Sequence, residues 1–298
     1  MTRSRIAVGI ATANRPTILA EVLRELSNQT RLPDCVFVCP AAEKDFDLAQ
    51  GADLPYPVLV VKGAKGSSSQ RNAIIDSALQ FDVLLFLDDD FFPSCTYLAE
   101  LDLCFTSHPT VVIAHGHVIA DGARGPGLDE TAARNALSLF RQSIRSNQPL
   151  EDEYSAYGCN MAVRLRPVYN HSIRFDENLP LYGWLEDLDF SRQLSPYGRI
   201  VKNWRTTGVH LGAKSGRGGS GVSYGYSQIA NPIYLWRKGT APLDRTLLIL
   251  LRNTVANLAK TPMPEPWIDR RGRARGNGLA FLDLIRGRLN PRRILESL

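Results

Sequence analysis

Residues 83–90 read VLLFLDDD, five apolar side chains that end abruptly in three carboxylates. A fully apolar run of this length suits a central strand buried on both faces. In an open α/β sheet, ligands bind beyond the carboxyl ends of the strands, so Asp88, Asp89 and Asp90 fall where a ligand is expected. Residues i and i+2 of an extended chain share a face, which points Asp88 and Asp90 the same way. Two carboxylates about 5 Å apart repel by roughly 3 kcal/mol at an effective dielectric of about 20. A hard divalent cation carrying phosphate oxygens offsets that repulsion. A solvated acidic turn, or a helix cap around Ser94, is the alternative.

Around this strand the chain alternates short apolar runs with helical patterns. Strands are predicted at 5–12, 35–39, 57–62, 83–87 and 110–120, and helices at 16–28, 70–80 and 94–107. Strands separated by helices read as βαβ units, and hence as a mostly parallel sheet flanked by helices. Residues 121–157 read as an inserted, partly helical region. A strand at 158–165, the carboxylate-rich GWLEDLDFSRQL, a strand at 199–204 and GVHLG follow. The segment 212–221 is too rich in glycine to pack and reads as a mobile loop. Helices are expected near 224–238 and 243–259, before a Pro-rich joint (TPMPEPW) and a basic tail. The expected organisation is a body over 1–240, with a nucleotide-binding half (1–120) and an acceptor and catalytic half (121–240), and a helical extension over 241–298.

Charge narrows the partners. The 298 residues carry 35 Lys+Arg and 30 Asp+Glu, a net charge of +5. Residues 260–298 hold nine of the basic and four of the acidic side chains, so the preceding 259 residues are neutral. A nucleic-acid binder, basic over a whole face, is not expected. In the tail, Leu282, Ile285 and Leu289 fall on one helical face near Arg286, Arg288, Arg292 and Arg293. Such a segment suits an anionic membrane surface, or a helix packed back on the body with solvated arginines. No uncharged apolar run approaches the roughly 20 residues that span a bilayer. The N-terminus resembles a short signal peptide, but NRPT follows at once and a strand–turn–helix unit is the reading adopted. Five scattered cysteines without a CxxC pair argue against a disulfide framework or a structural zinc site. A cytoplasmic protein with reduced thiols, peripheral on the inner face of the membrane, is the expectation.

Two further clusters carry chemistry. In GSSSQRN (66–72) the small residues suit a loop whose backbone approaches a ligand, with Arg71 and Asn72 placed to meet a base or phosphate. A plain helix N-terminus capped by Ser68 or Ser69 is the alternative. In Glu186-Asp187-Leu188-Asp189, a helical reading puts Glu186 and Asp189 on one face and Asp187 elsewhere. A carboxylate near a bound substrate serves as general base on a hydroxyl. First-turn acids that complement the helix dipole would look the same.

In order and spacing, IAVGIATANRP, GSSSQRN, FLDDD, YGCNMAVR, GWLEDLDFSRQL and GVHLG, over residues 5–212, resemble the glycosyltransferase family 2 enzymes with a GT-A fold. The resemblance implies a Rossmann-like mixed sheet and an inverting, non-processive, hexosyltransferase-type enzyme. It implies a nucleotide-sugar donor, a glycan or lipid-linked acceptor and a divalent cation, Mn2+ or Mg2+. Donor contacts then fall to Thr12, Arg71, Asn72, Asp88 and Asp89, and acceptor contacts to Asn160, Trp184 and Glu186. Asp90 and His210 would hold the metal, and Asp187 would be the base in a single in-line displacement. Lys214 and Arg217 lie in the Gly-rich loop expected to close over the donor.

The chain departs from the family pattern at Cys39-Pro40-Ala41-Ala42, where an Asp that contacts the nucleobase is usual; this weakens the case for a uracil-bearing donor. Trp236-Arg237 lacks the Gln of the processive QxxRW motif. The rival readings are a sugar nucleotidyltransferase, which would show a GxGTR-type loop where this chain has ANRP, a non-catalytic glycan-binding relative, and a nucleic-acid module resting on RRGRARGNG alone.

Overall fold

The computed structural model describes residues 3–140, 149–214 and 220–296. Its first half follows the apolar runs. β1 (Ile6–Thr12), α1 (Pro16–Ser27), β2 (Cys35–Pro40), β3 (Val58–Val60), α2 (Ser67–Ser77) and β4 (Val83–Asp88) are successive βαβ-like units. β5 (Phe91–Pro93), α3 (Tyr97–Ser107), β6 (Val111–Asp121) and α4 (Glu130–Leu139) come next. β7 (Leu150–Asp152), β8 (Asn160–Arg164), α5 (Leu165–Asn170), α6 (Glu186–Leu194) and β9 (Arg199–His210) complete the sheet and its flanking helices. The chain then becomes helical, with α7 (Gly221–Lys238), α8 (Leu243–Lys260) and α9 (Arg270–Ile285).

The strands form one mixed sheet in the order β3-β2-β1-β4-β8-β6-β9-β5, with β7 also on β9. β1, β2, β3, β4, β6 and β9 run one way; β5, β7 and β8 run the other. The expectation of a mixed, mostly parallel sheet is met. β8 inserts between β4 and β6, so strands from both sides of residue 120 share the sheet. β1 and β4 are central because every residue from Val83 to Leu87 is buried and apolar, as is Ile6–Ile10 around Gly9.

Each face of the sheet has its own apolar layer. α1 contributes Leu19, Val22, Leu23 and Leu26, all fully buried, and α3 adds Leu98 and Leu101 on the same side. On the other side Ile74 and Ile75 of α2, Val168 of α5, and Phe190 and Leu194 of α6 cover the strands. Each such side chain contributes roughly 1.5–3 kcal/mol through burial.

Two differences from the sequence reading matter for the site. β9 does not stop at 204 but runs through Gly208-Val209-His210, carrying that histidine to the strand end. The three-residue strands β5 and β7 were not foreseen; each exists through antiparallel pairing with β9.

The basic tail packs on the body. α9 lies against α7 where Gly225 and Gly276 let the backbones meet: a Cβ on Gly225 would collide with the Arg273 carbonyl oxygen, and one on Gly276 with that of Val222. Tyr226, Ile229, Ala230, Ile233 and Ala280 fill the contact, and Leu289 packs against them. The Tyr226 hydroxyl donates to Asp283 at 2.9 Å, and Arg293 pairs with the same carboxylate at 2.7 Å. Of the apolar tail residues singled out for a membrane, only Leu282 and Ile285 stay exposed. Because the Gly225 contact is backbone to backbone, no side chain can turn aside to admit a methyl. Gly225→Ala is therefore expected to cost about 1–3 kcal/mol, read as a lower midpoint in chemical unfolding.

Candidate active site

A cavity of about 380 Å³ opens beyond the carboxyl ends of β1 and β4. Thr12, Arg15, Arg71, Asp88, Asp89, Tyr157, Trp184, Glu186, Asp187 and His210 all line it. Sequence positions spread over nearly two hundred residues thus meet in one cleft.

Its acidic end is set by a tight turn. β4 ends at Asp88, and Phe91 already pairs with His210 on β9, so Asp88 and Asp90 are carried beside that imidazole. His210 Nε2 lies 3.4 Å from Asp90 Oδ1 and 3.8 Å from Asp88 Oδ2. One donor atom from each of the three residues falls within 4.8 Å of the others. Asp121, which faces His210 across the β6–β9 pairing, holds the other ring nitrogen: Nδ1 is 2.9 Å from Asp121 Oδ1. The Tyr157 hydroxyl donates to the second Asp121 oxygen at 3.2 Å. A carboxylate on one ring nitrogen fixes the ring and turns the other nitrogen toward a prospective ligand.

Acids outnumber bases in this corner, where Asp88, Asp89, Asp90 and Asp121 surround Arg15 and His210. Burial works to raise Asp90, but His210, Arg15 and the Ala213 N–H, which donates at 2.7 Å, hold it below the ordinary carboxylate range. Burial also works to lower His210, yet Asp121, Asp90 and Asp88 win and raise it to about 10. Asp89 is pushed up to about 6 by burial despite Arg15, whose guanidinium sits 2.7 Å away. The Thr12 hydroxyl donates to the other Asp89 oxygen at 2.7 Å. Asp90 Oδ1 is buried without a hydrogen-bond partner. An orphaned carboxylate oxygen beside a second carboxylate and an oriented imidazole is a donor set that fits a divalent cation.

The opposite wall is organised by Arg71. Its guanidinium, buried on α2, reaches Glu186 at 2.7 Å, Asp88 at 3.1 Å and the Gly158 carbonyl at 3.1 Å. Gly66 precedes α2 with φ of +133°, a value that favours glycine, and packs on the backbone of Leu181. The loop before α6 is itself strained: Leu181 and Leu185 hold φ of +58° and +74°. Such strain persists where the surroundings enforce a geometry. Here it delivers Trp184, Glu186 and Asp187 into the cleft. Asp187 accepts from the Gly158 N–H at 3.0 Å and the Leu188 N–H at 2.7 Å, while burial pushes its pKa upward.

Three sequence-selected residues do not line the cleft: Asp90, which is buried just behind it, Asn72 and Asn160. Asn72 turns away and binds the 175–177 segment, donating to the Phe175 carbonyl at 3.0 Å and to Glu177 at 2.9 Å. Adjacent helical residues diverge by about 100°, and here that turn sends Asn72 toward the 175–177 segment while Gln70 and Arg71 face the cleft. Asn160 is fully buried in β8, with both side-chain polar atoms unpaired. Glu186 and Asp189 share the buried side of α6, as expected, but only Glu186 reaches the cleft. Asp189 instead ties α6 to the α7–α8 joint through Lys238 at 2.7 Å and Thr240 at 2.7 Å. Lys214 donates to the Gly122 and Ala123 carbonyls at 3.1 and 3.0 Å, and Arg217 lies outside the described residues. Arg15, Asp121 and Tyr157 were not singled out from sequence. For Arg15 a signal existed, a cation directly before the Pro16 that starts α1.

No family model matches the chain, and no curated protein matches its sequence. Solved structures do share its architecture. Residues 1–349 of S. aureus TarS superpose with a TM-score of 0.56 at 15% identity, over 87% of this chain and 75% of that one. The mannosyltransferase PcManGT from Pyrobaculum calidifontis, solved with GDP-Man and Mn2+, gives 0.57 at 14% identity, over 96% of this chain and 76% of that one. This is a GT-A fold. GalNAc-T7, solved with UDP, GalNAc and Mn2+, shares this GT-A fold over the whole chain, with a TM-score of 0.57 at 14% identity. The chain spans 44% of the longer TarS structure and 57% of GalNAc-T7.

Proposed function

We propose that this chain is an inverting glycosyltransferase of family 2. It moves a sugar from a nucleotide-sugar donor to a hydroxyl of a glycan or lipid-linked acceptor, in bacterial cell-surface polysaccharide synthesis. One observation carries the reading: Asp187 and the Asp88–His210 pair open onto one cleft at the carboxyl ends of β1 and β4, with Asp90 buried behind them. The ligands named for the neighbours, GDP-Man with Mn2+ and UDP-GlcNAc, are of the class this cleft would take.

In this reading Thr12, Arg71, Asp88 and Asp89 face the donor, and Trp184 and Glu186 the acceptor. Asp90 and His210 would hold a divalent cation, which would supply positive charge to the leaving diphosphate. Asp187 takes the proton from the acceptor hydroxyl as its oxygen bonds to the anomeric carbon, and the bond from that carbon to the phosphate oxygen breaks with its electron pair. One such displacement inverts the anomeric centre. Asp121 holds His210 in register, and Arg71 keeps Asp88 and Glu186 apart from one another's charge.

A panel of nucleoside diphosphates and nucleotide sugars, with and without Mn2+, tests the reading through thermal unfolding. A donor at about 100 times its dissociation constant is expected to stabilise the protein by roughly 2.7 kcal/mol. The product's anomeric configuration, read by NMR, is expected to be opposite to the donor's, with release of a nucleoside diphosphate. Release of pyrophosphate, or retained configuration, contradicts the proposal.

A further inference from the structure

α8 is built inside out. Its buried side is polar: Thr246 and Asn257 are almost fully buried, and Asn257 donates to Gln228 at 2.7 Å and to Asn277 at 2.9 Å. Asn253 accepts from Gln228 at 2.9 Å, and Arg270 donates to Asn257 at 3.0 Å. This network attaches the helix to α7 and α9. Its outward side is apolar: Leu247, Leu248, Leu251, Val255 and Leu258 are 52–62% exposed. At about 100° per residue these five cover an arc of only about 100°. Met263 and Trp267, exposed just beyond the helix, extend the apolar surface.

The charge beside this face is mainly basic. Arg245 and Arg252 adjoin one edge of the arc and are exposed, and at its C-terminal end stand exposed Arg271 and Lys260, the latter paired with Glu265 at 2.5 Å. The only acid on α8 is Asp244, in its first turn. A second copy meeting this face would bring like charges together with almost no carboxylate to receive them. An anionic lipid surface complements both the leucines and the arginines. No described helix is long and apolar enough to cross a membrane, so α8 would lie on the bilayer rather than span it. α7, which carries α8, also touches the cleft: Asn231 donates to the Trp184 carbonyl at 2.8 Å.

We infer that the outer face of α8 with its basic edge docks this protein on an anionic phospholipid surface. The contact expected of residues 270–298 thus passes to the preceding helix, for which α9 is the support. The inference stands apart from transfer chemistry, because vesicle binding is read without donor or turnover.

Flotation of the full chain with phosphatidylcholine vesicles, with and without phosphatidylglycerol, tests it. Binding is expected to need the anionic lipid and to weaken in high salt. The double variant Leu251→Glu with Val255→Glu is expected to lose more than tenfold in affinity. Arg252→Ala is expected to lose about fivefold. Leu48→Glu, at an exposed leucine elsewhere, is expected to bind as the wild type. All these positions are exposed, so the unfolding temperatures are expected to match; a variant that fails to fold leaves Arg252→Ala to decide. Absence of binding to anionic vesicles at low salt overturns the inference. So does wild-type binding by the α8 variants. A wild-type dimer in sedimentation that these substitutions split would assign the face to a second copy instead.

Discussion

Asp187→Asn is expected to bind donor as the wild type does and to lose turnover by about 10²–10⁴-fold, the usual worth of a general base. The substitution keeps the size of the side chain and an oxygen able to accept one of the two backbone N–H groups, from Gly158 and Leu188, that fix it. It removes the capacity to take a proton. The residues assigned to the donor sit on β1, β4 and α2, away from the α6 start that carries Asp187. Affinity and turnover should therefore separate, in calorimetry against nucleoside diphosphate and in single-turnover rates. Turnover near wild type would move the base elsewhere.

Chelation is expected to have a comparable effect. EDTA should abolish transfer, and added Mn2+ or Mg2+ should restore it; full activity in EDTA removes the metal from the mechanism. Asp90→Asn tests the site itself. It replaces the carboxylate that faces His210 and Arg15 with a neutral amide, so the Mn2+-dependent part of nucleotide affinity should fall while the metal-free part stays. Asp121→Asn touches neither donor nor proposed cation directly. It removes the charge that holds the His210 ring and leaves at most a neutral acceptor, and a loss of about 10–100-fold in metal affinity is expected, read by direct titration of Mn2+. Equal Mn2+ affinity in both variants and the wild type would place the ion elsewhere.

The sequence carried the sheet well where burial is complete. VLLFL could be nothing but a central strand, and IAVGIAT and CVFVC followed the same logic. Local patterning says little about what long-range pairing creates. β5 is three residues that become a strand because β9 extends past them, and β9 extends because β6 supplies a partner as far as Asp121. The same pairing brings Asp121 to His210 across 89 residues, which no spacing rule reveals. Asp88, Asp90 and Asp187 stood out in the sequence as acids at an apolar strand end and a helix start, whereas His210 entered only through the family resemblance, because the strand that carries it was expected to stop at 204. Asn72 and Asn160 were drawn in as neighbours of motif residues, and backbone geometry decided otherwise: a helix turned one aside and a two-sided strand buried the other. The tail's arginines left a membrane contact and packing on the body both open, and its glycines, Gly225's partner Gly276 above all, decide for packing.

Arg71 has a consequence for anyone who would re-engineer the cleft. A single buried guanidinium is shared between Asp88 at the end of β4 and Glu186 at the start of α6, residues from opposite walls and 98 positions apart in the chain. Removing either carboxylate leaves the other holding the whole of that cation, and removing Arg71 strands two acids at once. Changes aimed at one wall will therefore be felt at the other, and their free energies will not add. Swapping the α6 segment to alter acceptor choice means redesigning the donor wall with it.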